Sequence, residues 1–192
     1  TTPHQQALNE SKYMWNKQIE SGYVQNMNDL YETKCEKIRP MLAHDFNKRY
    51  KDISSEYCIQ PKIDGVRLLV CQKEGELIFY SRTGKIITGL NHIRNELKDK
   101  YIFSDDNFYL DGEIFTFDLS FEEICGLFRT VKLTEKQNNK LHLLKYHVFD
   151  CFFTNKKSNL NFQERYKIMQ NLPEMKHTYI VNTNMFNKPE KP

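Results

Sequence analysis

The chain has 192 residues, of which 39% are hydrophobic and 28% are charged, and its formal net charge is +3. This composition is ordinary for a soluble globular domain, and the small net charge does not by itself indicate a nucleic-acid-binding protein. No run of about 18 apolar residues occurs, so we expect no transmembrane helix. The N-terminal residues also lack the basic and apolar regions of a secretory signal.

The cysteine and histidine patterns indicate the redox compartment of the protein and whether a zinc site is expected. The five cysteines are widely spaced and include no C-x-x-C pair. Three of them lie in apolar runs, which indicates buried, reduced thiols and an intracellular protein. Among the six histidines, no H-x₃₋₅-H pair is accompanied by a C-x-x-C pair, so we expect no structural zinc site.

The first half of the chain begins with a polar segment and continues with hairpins. We interpret residues 1–33 as a helical flanking segment, because their few apolar side chains have helical spacing. Strands are then predicted at EYCIQPKI, VRLLVCQ and ELIFYSR, with turns at KEGE and RTGK. An amphipathic helix is predicted at LNHIRNELKDKY, and FYLDGEIFTF is predicted to be a strand.

The second half alternates less regularly between helices and strands. Ser120 and Glu123 form a capping-box pattern before a helix at FEEICGLFRTV, and a loop is predicted at KLTEKQNNK. LHLLKYHVFDCFF has the pattern of a buried strand, NFQERYKIMQNL that of a helix and TYIVNT that of a short strand. Early hairpins with scattered helices predict an α+β fold with mostly antiparallel sheets and flanking helices.

The stretch KIDGVR concentrates charged residues inside an otherwise apolar run. The amine of Lys62 is protonated at its free pKa of about 10.4, but neighbouring cations such as Arg67, Arg82 or a metal would favour the nucleophilic free amine. Gly65 would allow close approach of a ligand, and Arg67 offers a bidentate fork for phosphate. From these residues alone, a surface lysine at the end of a strand remains the alternative.

Three further clusters carry chemistry suited to a nucleotide. Ser81-Arg82-Thr83 supplies a second guanidinium at the end of a strand. Asp111-Gly112-Glu113 puts two carboxylates on a strand, where they would hold a ribose hydroxyl or Mg²⁺. An aromatic residue of YHVFDCF would stack on a base, and the candidates are Tyr146, Phe149 and Phe152, each of which suits a hydrophobic core equally well.

Five motifs occur together in the order and rough spacing found in ATP-dependent DNA ligases: RPMLA, KIDGVR, YSRTGK, LDGEIF and YHVFDCF. The chain therefore resembles the adenylation domain of these ligases, most of all those of large DNA viruses. They belong to the covalent nucleotidyltransferase superfamily with mRNA capping enzymes and RNA ligases. The resemblance spans about residues 36 to 165. It implies the ATP-grasp-like catalytic fold of DNA ligases and capping enzymes, which we assign to residues 34–192.

The resemblance implies that the protein seals nicks in double-stranded DNA with ATP and Mg²⁺. Lys62 would attack the α-phosphate of ATP and form lysyl-N-AMP with release of pyrophosphate. The AMP would pass to the 5′-phosphate of the nick, and attack by the 3′-hydroxyl would then join the strand and expel AMP. We expect the protein to be a monomer without a membrane partner and to serve DNA replication, repair or recombination. We expect it in the nucleus or cytoplasm, or in a cytoplasmic viral factory if it is viral.

The resemblance also implies roles for the remaining site residues. The residues expected to bind the nucleotide are Gln60, Ile63, Arg67, Arg82, Glu113 and Phe149. Gln60 would read the adenine amino group, Phe149 would stack on the base, and Glu113 would support the ribose and the metal. The residues expected to contact DNA are Arg67, Arg82 and Lys85.

Departures from the family pattern leave other functions open. A Glu-Gly motif and a K-x-K motif of the family are missing between Asp150 and Pro192, and no oligonucleotide-binding fold follows, so we expect the domain to be incomplete here. The alternatives are a capping guanylyltransferase, an RNA ligase or an inactive DNA-binding fragment. RPMLA and SRT favour the ligase, whereas the amide of Gln60 accommodates adenine without excluding guanine.

Overall fold

The computed structural model describes residues 1–20, 23, 40–41, 44–49, 56–100, 103, 105–154 and 159–187. The chain divides into two compact units, Thr1–Arg39 and Pro40–Pro192. The first unit contains helix α1 (Pro3–Glu20), on which Trp15 is exposed. The predicted domain boundary after residue 33 stays a prediction, since both neighbouring residues lie outside the described ones. No helix in the described ranges is long and apolar enough to cross a membrane.

The second unit contains the sheets and the predicted site. Its helices are α2 (Phe46–Arg49), α3 (Asn91–Asp99), α4 (Phe121–Arg129), α5 (Glu135–Asn138) and α6 (Phe162–Gln170), with a 3₁₀ turn at Leu141–Leu143. Its strands are β1 (Glu56–Ile59), β2 (Val66–Lys73), β3 (Glu76–Ser81), β4 (Phe108–Phe115), β5 (Lys145–Phe153), β6 (Thr178–Ile180) and β7 (Asn184–Asn187).

The strands within the described residues form two sheets. One has five strands in the order β3-β2-β4-β5-β6, and the other pairs β1 with β7. All neighbouring strands run antiparallel except β5 and β6, which are parallel. The prediction of an α+β fold with mostly antiparallel sheets is therefore confirmed.

A tight turn joins β2 to β3 and fixes their register. Glu74 and Gly75 have φ angles of 52° and 81°, and Lys73 pairs with Glu76 on either side of them. Two successive residues with positive φ are typical of the type I′ turn, whose twist matches that of antiparallel strands. The KEGE segment thus forms the hairpin that the sequence predicts.

The two faces of the five-stranded sheet have different chemistry. Alternate residues such as Leu68, Val70 and Ile114 are fully buried and belong to the hydrophobic core, which also includes residues of α3, α4 and α6. Their neighbours along the strands, such as Arg67 and Glu113, are on the opposite face because side chains alternate along a strand. The apolar face anchors the sheet, and the polar face carries the predicted site.

A bulge distorts β5 beside the predicted site. Asp111 pairs with Asp150 but Gly112 pairs with Val148, which leaves Phe149 without a partner on β4. A bulge of this kind re-aims the side chain of the extra residue. Gly112 is required here, because a Cβ atom on it would lie 2.4 Å from the carbonyl oxygen of His147.

Four elements differ from the sequence-based expectation. The strand predicted at LHLLKYHVFDCFF begins only at Lys145, after the 3₁₀ turn at Leu141–Leu143. Strand β1 ends at Ile59, before Pro61, which has no N–H to donate to a neighbouring strand. The predicted loop KLTEKQNNK contains the short helix α5, which begins with a capping box between Thr134 and Gln137. Strand β7 was not predicted, and its pairing with β1 joins residues distant in the sequence.

Candidate functional site

Lys62 lies in an irregular segment, residues 60–65, that connects β1 to β2. Its side chain is exposed, and that of Ile63 is half-buried. The segment passes so close to β4 that a Cβ atom on Gly65 would lie 2.2 Å from the carbonyl oxygen of Ile114 and 2.9 Å from Cγ of Glu113. Only glycine permits this approach, which brings the lysine segment beside Glu113.

Arg67 is fixed by a bidentate ion pair with Asp111. Its Nε donates to one carboxylate oxygen at 2.5 Å and its terminal nitrogen to the other at 2.6 Å. Asp111 is only 5% exposed, and this burial raises the pKa of its carboxyl while the nearby Arg67 lowers it. Two parallel charge-assisted bonds hold the guanidinium in one orientation. We predicted a ribose or metal role for this carboxylate, but the structure shows it supporting Arg67.

The structure separates the three aromatic candidates of β5. Tyr146 is fully buried, and its hydroxyl donates to the carbonyl oxygen of Leu68 at 3.1 Å. Phe152 stacks on Tyr109, with ring centroids 4.9 Å apart. Phe149, the bulge residue, is half-buried, and the guanidinium carbon of Arg67 lies 4.5 Å from its ring centroid. Of the three, Phe149 is therefore the one grouped with Arg67.

Two hydrogen bonds hold the side chain of Gln60 beside Phe149. Its amide nitrogen donates to the carbonyl oxygen of Phe149 at 2.8 Å and to Oγ1 of Thr183 at 2.9 Å. Thr183 is buried in the segment between β6 and β7. Sequence reasoning missed Thr183, since a lone threonine after a short strand carries no recognisable pattern.

Glu113 occupies the centre of the polar face of the sheet. It lies opposite Arg67 of β2 and opposite His147 of β5. Burial raises the pKa of its carboxyl to about 7, and the negative charge of Asp111 adds to the rise, while the cations Arg67 and Lys62 oppose it. Lys62 and Arg67 are thus cations whose charges act on the Glu113 carboxyl.

The raised pKa of Glu113 makes stability depend on pH. The folded protein holds the proton more tightly than the unfolded chain, so stability falls as pH rises from about 4.5, the ordinary value, through about 7. We expect Glu113→Gln to be more stable than the parent protein at pH 8 by about 1 kcal/mol, allowing for partial solvent screening, with little difference at pH 4. Urea unfolding at both pH values measures this, and equal pH dependence in the two proteins would contradict it.

The turn after β3 carries Arg82 and Lys85, and both side chains are exposed. Gly84 has a φ of 81°, and the backbone N–H of Ser81 donates to the carbonyl oxygen of Lys85 at 2.8 Å. Ser81 pairs with Leu68 of β2. The turn is therefore next to the end of β2 that carries Arg67.

The described residues also indicate which side chains could bind the expected magnesium ion. They contain no group of three His, Cys, Asp or Glu side chains arranged to hold a metal. Mg²⁺ is commonly bound through one or two carboxylates together with substrate phosphates. Since Asp111 is engaged by Arg67, Glu113 is the carboxylate on this face that fits such a role once phosphates are bound.

Curated proteins similar in sequence to this chain include DNA ligases of two viruses. A DNA ligase of African swine fever virus (isolate Pig/Kenya/KEN-50/1950) is 32% identical over 147 residues, which cover 74% of this chain and 33% of the relative. A DNA ligase of Monkeypox virus is 30% identical over 142 residues, which cover 70% of this chain and 24% of the relative. The chain thus spans about a third or less of these curated relatives.

Structural comparison agrees on the fold. The solved structure titled "DNA binding with a minimal scaffold: Structure-function analysis of Lig E DNA ligases" aligns with a TM-score of 0.56 at 17% identity, covering 79% of this chain and 53% of that one. At this identity the likeness supports the fold alone. A family model described as "ATP dependent DNA ligase domain" matches residues 40–190. The chain therefore belongs to the ATP-dependent DNA ligase domain family.

Proposed function

We propose that the protein is a nick-sealing DNA ligase that reacts with ATP through a covalent lysyl-AMP intermediate on Lys62. The observation that carries the proposal is the close approach of the segment that carries exposed Lys62 to Glu113, beside the fixed Arg67. The family match over residues 40–190 supports it, and it favours a DNA ligase over a capping guanylyltransferase or an RNA ligase.

The first chemical step follows from this arrangement. The amine of Lys62 forms a bond to the α-phosphorus of ATP as the bond to pyrophosphate breaks, and the proton lost from the nitrogen passes to solvent, to which Lys62 is exposed. Arg67, held in place by Asp111, would bind phosphate oxygens. Mg²⁺ would neutralise charge on the phosphates, and Glu113 would be its protein ligand.

The base would bind where Gln60 and Phe149 meet. Arg67 covers one face of the Phe149 ring at 4.5 Å, so adenine would stack on the opposite face. The side-chain amide of Gln60, bonded to the carbonyl of Phe149, would then face the edge of the base. Ile63 would contact the nucleotide from the lysine segment.

Substrate, assembly and compartment complete the proposal. Arg82 and Lys85 on their exposed turn, together with Arg67, would contact the backbone of nicked duplex DNA. Viral relatives support an intracellular role in replicating, repairing or recombining DNA, in a cytoplasmic factory if the source is viral. We propose that the protein acts as a monomer and that residues 1–33 flank the adenylation domain.

Covalent labelling tests the proposed function. We expect incubation with Mg²⁺ and α-labelled ATP to give an acid-labile, alkali-stable label on the protein, as a phosphoramidate would. We expect no label from GTP, and sealing of nicked duplex DNA in preference to nicked RNA. A label from GTP alone would replace this proposal with a capping activity. No label from either nucleotide would favour an inactive DNA-binding protein.

A further inference from the structure

Both hydrogen-bond partners of the Gln60 amide nitrogen accept hydrogen bonds, and this fixes which way the amide points. The carbonyl oxygen of Phe149, at 2.8 Å, has no proton to give. The hydroxyl of Thr183, at 2.9 Å, carries a proton but donates it to the carbonyl oxygen of Val181 at 3.2 Å. Thr183 therefore also acts as an acceptor toward Gln60.

Thr183 is itself held in place by the fold. Its side chain is buried, with 8% exposure, and its backbone N–H donates to the hydroxyl of Tyr166 at 3.2 Å. Tyr166 belongs to α6 and is part of the hydrophobic core. The hydroxyl that receives the Gln60 amide is thus attached to the core through a separate contact.

Rotation of the amide by 180° would be unfavourable. It would direct Oε1 of Gln60 at the carbonyl oxygen of Phe149 and at a hydroxyl whose proton is already engaged, and two hydrogen bonds would be lost. Leaving a buried polar group without its partner costs more than an average hydrogen bond contributes. The amide oxygen is therefore left as the group available to a ligand.

We propose that Thr183 is a positioning residue that makes Gln60 select purines with an amino group at position 6. The fixed amide oxygen accepts a hydrogen bond from a 6-amino group, whereas it opposes the oxygen of a 6-oxo purine. This inference rests on the proposed function, in which Gln60 faces the edge of the base. It adds a reason for rejecting guanine that the identity of residue 60 alone does not supply.

The orientation is testable in the unmodified protein with three nucleoside triphosphates. These are ATP, the 6-unsubstituted purine riboside triphosphate and inosine triphosphate, which carries a 6-oxo group. We expect covalent labelling efficiency (kcat/KM) to fall about tenfold from ATP to the unsubstituted analogue, and further for inosine triphosphate. More efficient labelling with inosine triphosphate than with the unsubstituted analogue would overturn the inference.

The role of Thr183 is tested by removing only its hydroxyl. We expect Thr183→Val to lower the preference for ATP over inosine triphosphate about tenfold, because a single acceptor then holds the amide. Thr183→Ser keeps the hydroxyl and should retain the preference. A merely structural role would weaken labelling by both nucleotides equally and leave the ratio unchanged.

Thr178→Val is a matched control. Thr178 is also buried, and its hydroxyl has no hydrogen-bond partner among the described residues, so its removal should leave the ratio intact. If the unmodified protein prefers ATP and Thr183→Val keeps that preference, the inference is wrong while the proposed function stands. If the unmodified protein is not labelled by ATP, the proposed function itself fails.

Discussion

Substitution of Lys62 by alanine is expected to abolish covalent attachment of AMP, with a loss of at least about a thousandfold in labelling. The reason is that the side-chain amine forms the bond to the α-phosphorus, and residues 60–65 contain no other side-chain amine. The measurement is transfer of α-labelled ATP to the protein, followed by acid and alkali treatment of the labelled product.

Two further variants serve as controls for this result. Lys62→Arg keeps the positive charge but not the nucleophile, and it should be as inactive as the alanine variant. Lys98→Ala should label normally, since Lys98 is an exposed residue of α3 in an ion pair with Glu76 at 3.7 Å. Label that survives in Lys62→Ala would show that another residue carries the adenylate.

Removal of the Asp111 carboxylate is expected to cost stability as well as activity. Asp111→Ala leaves the guanidinium of Arg67 partly buried without its partner, and breaking such a pair costs about 2–4 kcal/mol. The freed Arg67 would also lose the orientation that we assign to phosphate binding, so labelling with ATP should fall at least about tenfold. Urea unfolding at pH 7 and the labelling assay measure the two effects.

A second ion pair provides the control for this prediction. Arg165 of α6 donates to Asp150 of β5 at 2.8 and 2.9 Å, and both side chains are about one fifth exposed. We expect Asp150→Ala to destabilise the protein less than Asp111→Ala, because Arg165 still donates a hydrogen bond to the carbonyl oxygen of Leu160 at 2.7 Å after Asp150 is removed. Equal stability losses, with labelling retained in Asp111→Ala, would contradict a role for Asp111 in fixing Arg67.

Local sequence patterns were sufficient to predict most helices and strands of the fold. The β-branched and aromatic residues of VRLLVCQ and ELIFYSR, with the KEGE turn between them, predicted the β2–β3 hairpin, because strand propensity and turn chemistry act between neighbouring residues. The capping box at Ser120 predicted the start of α4 for the same reason. The one-turn helix α5 also has a capping box, at Thr134, but its surroundings lack the apolar spacing that would have identified it.

The bulge in β5 is a feature that local sequence patterns did not predict. YHVFDCF is apolar enough to predict a buried strand, but nothing in it reveals that Phe149 is left unpaired opposite β4. That irregularity depends on how Asp111 and Gly112 fit against the facing strand. It also decides which of three similar aromatic residues lies beside Arg67, a choice that we left open from the sequence.

The sequence by itself determined the fold class, the family and the candidate chemical groups, from Lys62 and Gln60 to Glu113. These depend on residue identity and on spacing along the chain. Only the tertiary structure decided which groups act on one another: Asp111 on Arg67, and Thr183 on Gln60 across 123 positions of sequence. The physical reason is that hydrogen-bond direction and burial depend on neighbours brought together by sheet pairing, and such neighbours leave no mark on local sequence.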